Sequence, residues 1–181
     1  GEPGAEIITP DPGFIAYKSM IDYTGAKAVS LPHRMENNFS FDADELISLI
    51  NDKTKLIILN SPANPTGGVV SEVELIKLAK GLLNFPKVFI LSDEIYSRIL
   101  FDNHKHISPL KFKEIRDRVI VLDGWSKTYS MTGWRLGYGI YPKEIFSFAE
   151  KLAINSHSCV NSASQFAGIE ALRGDQTSVD N

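Results

Sequence analysis

Six short apolar runs alternate with five helical patterns along the chain, and that alternation limits the fold more than any other feature. The runs Glu6–Thr9, Ala28–Leu31, Leu56–Asn60, Val88–Ser92, Val119–Asp123 and Arg135–Ile140 are short, bounded by turn residues, and expected as strands. The stretches Gly13–Thr24, Asp42–Asn51, Glu72–Leu83, Lys143–Asn155 and Ser162–Leu172 are expected as helices. In the third of these, Glu72, Leu75, Leu78, Ala79 and Leu82-Leu83 include the three- and four-residue steps of one helix face. Ser71 stands where an N-cap belongs, with Glu74 three residues on, as in a capping box. Strands that alternate with helices imply an α/β fold: a mostly parallel sheet with helices on both faces. No repeat, low-complexity tract or long linker divides the 181 residues, so one domain is expected.

Charge and cysteine usage remove whole classes of function. A net charge of −3 gives no general attraction to nucleic acid or an anionic membrane. No apolar run approaches the ~20 residues of a membrane helix, and residues 1–10 lack the regions of a signal peptide. With Cys159 as the single cysteine, no disulfide forms within the chain. A lone thiol suits a reducing, cytoplasmic setting, and Cys159 is expected as a buried small residue rather than a nucleophile. The sequon at Asn38-Phe39-Ser40 is taken as chance. His104 and His106 lie in a Lys-, Asp- and Asn-rich stretch that is expected as a solvated loop, not a metal site. Gly1-Glu2-Pro3-Gly4 is a turn directly before the apolar Ile7-Ile8, so the chain is expected to be part of a longer protein.

Ligands of open α/β sheets bind beyond the carboxyl ends of the strands. Three strand ends carry unusual polar clusters: Asn60-Ser61-Pro62-Ala63-Asn64-Pro65-Thr66-Gly67-Gly68, Ser92-Asp93-Glu94-Ile95-Tyr96, and Asp123-Gly124-Trp125-Ser126-Lys127. In one sheet they converge on one rim. Most lysines are solvated surface charges. Lys127 instead lies among small and aromatic residues just past an apolar strand, which favours a pocket. There, desolvation and nearby cations lower an amine's pKa and make it nucleophilic. Arg135, between Trp134 and Leu136, needs an anionic partner. Its planar fork suits a phosphate or carboxylate, and an internal salt bridge is an equal reading on these residues alone.

The segment Ser126-Lys127 with Met131-Thr132-Gly133-Trp134-Arg135-Leu136-Gly137-Tyr138 closely resembles the lysine motif of the class I/II aminotransferases, the fold-type I enzymes that use pyridoxal 5′-phosphate (PLP). Asn60 to Gly67 resembles their Asn-x-Pro-x-Asn-Pro-Thr-Gly loop. Asp93-Glu94-Ile95-Tyr96 resembles their Asp-Glu-x-Tyr segment, and Pro12-Gly13-Phe14 with Tyr17 the segment carrying the aromatic that stacks on the cofactor. The four stand in the family's order and span nearly the whole chain.

The resemblance implies a fold, a cofactor and a set of roles. Residues 1–181 would be most of a PLP-binding large domain, and the activity the transfer of an amino group between an L-amino acid and a 2-oxo acid. Lys127 would hold PLP covalently and later move a proton. Asp93 would pair with the pyridine nitrogen, Tyr96 and Asn64 would hydrogen-bond the ring's 3′ oxygen, Arg135 would hold the phosphate, and Phe14 would stack on the ring. On the residues alone Asp93 could be a cap, Asn64 a turn former and Phe14 plain core. The chain departs from the family at Gly124, where serine is frequent. Ser126 then offers a hydroxyl nearby, and Trp125 is bulkier than usual. The family's first phosphate loop would precede Gly1, and its substrate-carboxylate arginine would follow Asn181. A homodimer is implied, with Asn155-Ser156-His157-Ser158, Asn161 and Ser162 at the cross-subunit contact. Two alternatives stay open: a PLP lyase or synthase on the same fold, and a non-catalytic PLP-binding module of a regulator. A nucleotide-binding Rossmann domain is disfavoured, because no G-x-G-x-x-G follows the first strand.

Overall fold

The computed structural model describes residues 2–180. Its six strands are β1 (Glu6–Asp11), β2 (Lys27–Pro32), β3 (Thr54–Asn60), β4 (Phe89–Asp93), β5 (Val119–Gly124) and β6 (Gly137–Ile140). They form one sheet in the order β2-β1-β3-β4-β5-β6. Every neighbouring pair is parallel except β5 and β6, which run antiparallel. The helices are α1 (Ile15–Tyr23), α2 (Ala43–Ser48), α3 (Glu72–Gly81), α4 (Lys143–His157), α5 (Ser162–Arg173) and α6 (Thr177–Asp180). The α/β class and the mostly parallel sheet are those expected from the alternation.

Successive strand residues point to opposite faces, and each face has its own cover. Ile8, Ile57, Leu59 and Ile90 pack under α2 and α3, against Leu46, Leu75, Leu78 and Leu82. Ile7 and Ile58 pack on the opposite face under α1, against Ile21 and Tyr17. Residues Ile57 to Asn60 are all buried, as befits a central strand covered on both sides. The chain therefore leaves β1 toward one face and β3 toward the other. The crevice between those two departures is the point where the strand order reverses, and ligands of such sheets bind there.

Local chemistry explains where the elements start. Asp42 caps α2 by accepting from the Glu45 N–H at 2.9 Å. Ser71 caps α3 by accepting from the Glu74 N–H at 3.3 Å. The return half of that capping box is not made. The Glu74 carboxylate accepts instead from the Ala43 N–H at 2.7 Å, tying α3 to α2. Helix α1 begins at Ile15 rather than Gly13, with Phe14 as its N-cap in an extended conformation (φ −64°, ψ 126°). The last strand begins at Gly137 rather than Arg135. Thr132–Trp134 form a single 3-10 turn, and Arg135 follows in the left-handed region at φ +55°. A non-glycine residue there carries about 1 kcal/mol of strain, a cost that concentrates at functional sites.

Two expectations fail. Cys159 is exposed rather than buried, because the α4–α5 connection that carries it lies on the surface. His106 is not solvated: its side chain is 15% exposed and bonds through Nε2 to Glu94 at 2.9 Å. The polar stretch around it is exposed at His104 and Lys105 but folds inward at His106 to meet a buried carboxylate. Among the described residues no helix is long and apolar enough to cross a membrane, and no group of metal-ligating side chains is found.

Candidate active site

Four strand ends feed one hollow of about 380 Å³, within the size range of small-molecule sites. Phe14 and Tyr17 reach it from the segment after β1, Asn60 and Asn64 from the end of β3, Asp93, Ile95 and Tyr96 from β4, and Leu122, Asp123, Ser126, Lys127, Thr132 and Arg135 from β5 and the turn after it. All seven residues singled out from the sequence (Phe14, Asn64, Asp93, Tyr96, Ser126, Lys127 and Arg135) are therefore on its walls.

Asp93 is held by two hydrogen bonds. Its Oδ2 accepts the Tyr17 hydroxyl at 2.6 Å and its Oδ1 accepts the Ile95 N–H at 3.2 Å. Burial pushes the Tyr17 hydroxyl far above its ordinary pKa, and the Asp93 carboxylate adds to the effect. Tyr17 thus remains a donor at all ordinary pH, and Asp93 an acceptor fixed in place. Behind it Glu94 is 8% exposed and accepts from Ser92 Oγ at 3.0 Å, Ser108 Oγ at 2.6 Å and His106 Nε2. Burial pushes the Glu94 carboxyl up, but the hydrogen bonds from His106, Ser108 and Ser92 outweigh it and hold the group below its ordinary value.

Lys127 and Arg135 are exposed, at the mouth of the hollow. Lys127 Nζ stands 5.8 Å from the Tyr96 ring centre and has no ion pair among the described residues. Arg135 Nη1 donates to the Thr132 carbonyl at 2.8 Å, which orients the guanidinium and leaves its other donors free; no carboxylate pairs with it among the described residues. The internal salt bridge weighed for Arg135 is not formed. Asp123 also lines the hollow. Burial raises its carboxyl above the ordinary value, and the Gly124 N–H and the Tyr138 hydroxyl, donating at 2.6 Å and 3.2 Å, offset that only in part.

The departures at positions 124 and 125 have a steric reason. A Cβ on Gly124 would stand 2.9 Å from both Gly137 Cα and the Leu136 carbonyl oxygen, so glycine lets β5 and β6 approach. Trp125 finds its room at α5, where its Nε1 donates to the Gly168 carbonyl at 3.0 Å. A Cβ on Gly168 would meet Leu136 Cδ2 at 2.3 Å.

The 155–162 group is only partly gathered. His157, Ser158 and Asn161, which also caps α5 by accepting from the Ser164 N–H, line a second hollow that shares Ser126 and Arg135 with the first, whereas Asn155 donates back to the Lys151 carbonyl. Among the lining residues to which sequence reasoning gave no role are Tyr17 and Asn60. Tyr17 was visible as part of the Phe14 segment, three residues on along α1. Asn60 was visible as the first residue of its loop.

The donor set fits PLP. A pyridine nitrogen needs a fixed carboxylate, a phenolate oxygen needs neutral donors, a phosphate needs a guanidinium and hydroxyls, and an aldehyde needs an amine. Asp93, Tyr96 with Asn64, Arg135 with Ser126, and Lys127 supply these from one hollow.

The whole chain, residues 1–181, matches the model of the family described as aminotransferase class I and II. It is 39% identical over 178 residues to an aspartate aminotransferase of Bacillus sp. (strain YM-2), covering 98% of this chain and 45% of that protein. It is 37% identical to an aspartate/prephenate aminotransferase of Cereibacter sphaeroides, covering 96% and 44%. Among solved structures, the aspartate aminotransferase from Rhizobium meliloti matches with a TM-score of 0.94 at 32% identity, over 99% of this chain and 45% of that one. The aromatic aminotransferase from Pyrococcus horikoshii matches with a TM-score of 0.94 at 32% identity, over 99% and 48%. The chain thus spans about half the length of the relatives it matches.

Proposed function

Because this chain belongs to the class I and II aminotransferase family, we propose that the protein transfers an amino group between an L-amino acid and a 2-oxo acid, with PLP held at Lys127. The observation that carries the reading is the convergence of Lys127, Asp93, Tyr96, Asn64 and Arg135 on one hollow from separate strand ends. PLP, when bound, supplies an electron sink for the charge that develops at the substrate Cα. The protein's own residues do the rest. Lys127 Nζ is the nucleophile that holds the cofactor and the base that takes the Cα proton. Asp93, fixed by Tyr17 and the Ile95 N–H, would pair with the ring nitrogen and favour its protonated form. The Tyr96 hydroxyl and the Asn64 amide donate to the ring's 3′ oxygen. Arg135 binds the phosphate through the donors that Thr132 leaves free, with the Ser126 hydroxyl beside it. Phe14, on the wall of the hollow, would stack on the ring.

Residues 1–181 form most of the large, cofactor-binding domain in this reading. The relatives' names include aspartate, prephenate and aromatic substrates, so the amino donor is left at the level of an L-amino acid. A homodimer with the 155–162 loop near the partner, and a cytoplasmic setting suggested by the lone cysteine, complete the proposal. The test is to load the full-length protein with PLP, reduce it with borohydride and map the modified peptide. A pyridoxyl adduct on Lys127 is expected; an adduct on another lysine overturns the assignment.

A further inference from the structure

We propose that Asn60 is a positioning residue whose amide sets the Asn64 loop against the Asp93–Tyr96 segment, so that the donors on the two act at one point of the ligand. The inference rests on the PLP reading above. Asn60 ends β3 directly opposite Asp93 in the ladder and is 5% exposed. Its Nδ2 donates to the Asp93 carbonyl at 3.0 Å, and its Oδ1 accepts the Asn64 N–H at 2.8 Å. A carbonyl requires a donor and an N–H an acceptor, so the amide fits in one orientation only. Aspartate would set an acceptor against a carbonyl oxygen. Leucine, of similar size, would leave both backbone groups unpaired.

What Asn60 joins are two units that each carry hydrogen bonds of their own. The loop is closed on itself by the Ala63 N–H to the Gly68 carbonyl at 2.9 Å and the Gly67 N–H to the Ala63 carbonyl at 2.8 Å. The other segment is held by Tyr17, by the Glu94 cluster and by the Glu94 N–H to the Leu122 carbonyl at 2.8 Å. Past the strand ladder, the Asn60 side chain is the hydrogen-bonded link between them among the described residues. Asn64 and Tyr96 stand on opposite sides of that link. Donors to the 3′ oxygen favour its anion and lower the pH at which the lysine-bound cofactor loses its proton. Losing the link moves Asn64 off that oxygen and raises this pH.

The experiment compares wild type, Asn60→Leu, Asn64→Ala and the double variant in the PLP-loaded, full-length protein. The readouts are the pH midpoint of the cofactor's absorbance change and the urea midpoint of the cofactor-free protein. Asn60→Leu is expected to raise the pH midpoint in the same direction as Asn64→Ala, by roughly one pH unit, and the double variant to add nothing further. An unchanged pH midpoint, a purely additive double variant, or a loss of stability with no spectral shift overturns the proposal. If Asn60→Leu does not fold, Asn60→Ser is judged by the same outcomes. A wild type with no cofactor on Lys127 refutes the functional reading, whereas a titrating wild type with a silent Asn60 variant refutes this inference alone.

Discussion

Helix α3 and helix α4 are both amphipathic, and they have opposite fates. The shorter α3 buries Leu75, Leu78 and Ala79 to 3%, 1% and 4% exposure. The longer α4 buries no residue, and its Phe148 and Leu152 are 74% and 68% exposed. The same contrast divides the sheet. The strands β1, β3 and β4 are covered on both faces, while β6 has no buried residue. An apolar stripe dictates a helix and the face it offers; only a neighbour turns that face into stability. The site lies across the division. Asn60, Asn64, Asp93 and Tyr96 are anchored in the covered half. Lys127 and Arg135 sit on the turn between β5 and β6, beside the uncovered half.

The contrast is sharpest in unfolding experiments. Leu78→Ala should cost ~2–5 kcal/mol of stability, as large-to-small changes in packed cores do. Phe148→Ala should stay within ~0.5 kcal/mol in this chain. Urea midpoints of the two variants check this, and equal losses would mean that α4 is packed after all. Next in size is Asp93→Ala in the full-length protein. It should still take up PLP on Lys127, yet transaminate at least ~100-fold more slowly, the scale of a lost charge or proton partner. Near-normal turnover would remove Asp93 from its role. Tyr17→Phe deletes one hydrogen bond to that carboxylate and should slow turnover by roughly 10-fold, with cofactor attachment intact. A loss as great as that of Asp93→Ala would make Tyr17 more than a support.

The smallest effect is in acid stability. His33 is 7% exposed, and burial lowers its pKa below the ordinary 6.5, with Asp11 and the Phe39 carbonyl pulling the other way. The unfolded chain then takes up a proton first, so stability is full above pH 6.5 and falls as pH drops from there through the lowered folded value. Glu94, held below 4.5, adds a second decline that begins near pH 4.5. His33→Gln should remove the first decline and leave the second. A stability profile flat between pH 7 and 5 would contradict the buried neutral histidine.

The roster of elements was legible because side-chain periodicity is local. The six strands and the first five helices agree with the sequence expectation to within a few residues at each boundary, whereas the short α6 lies in a polar tail for which no helix is expected. Apart from Cys159, which is simply exposed, the misses occur where a long-range partner overrides local character. His106 stands in a run of charged and amide residues, and nothing local announces that Glu94 draws it inward. Arg135 reads as strand, being flanked by apolar residues, but its left-handed φ belongs to the tight turn that brings β6 back along β5. Tyr17 and Asn60 were quoted within motifs and left without roles, since a role needs the distance to Asp93, a residue far along the chain.

Composition and order along the chain thus determined the class of fold and the family, and singled out Lys127 as the candidate site of cofactor attachment. These depend on residue types at fixed local spacing, and local spacing is all that a chain states directly. Which residues meet was decided by the sheet. The parallel ladder sets Asn60 against Asp93, the opposite exits of β1 and β3 open the crevice, and the antiparallel return of β6 brings Tyr138 to Asp123. Strand order and register depend on pairing between residues distant in sequence, so the hollow and its hydrogen bonds exist only once that pairing is made.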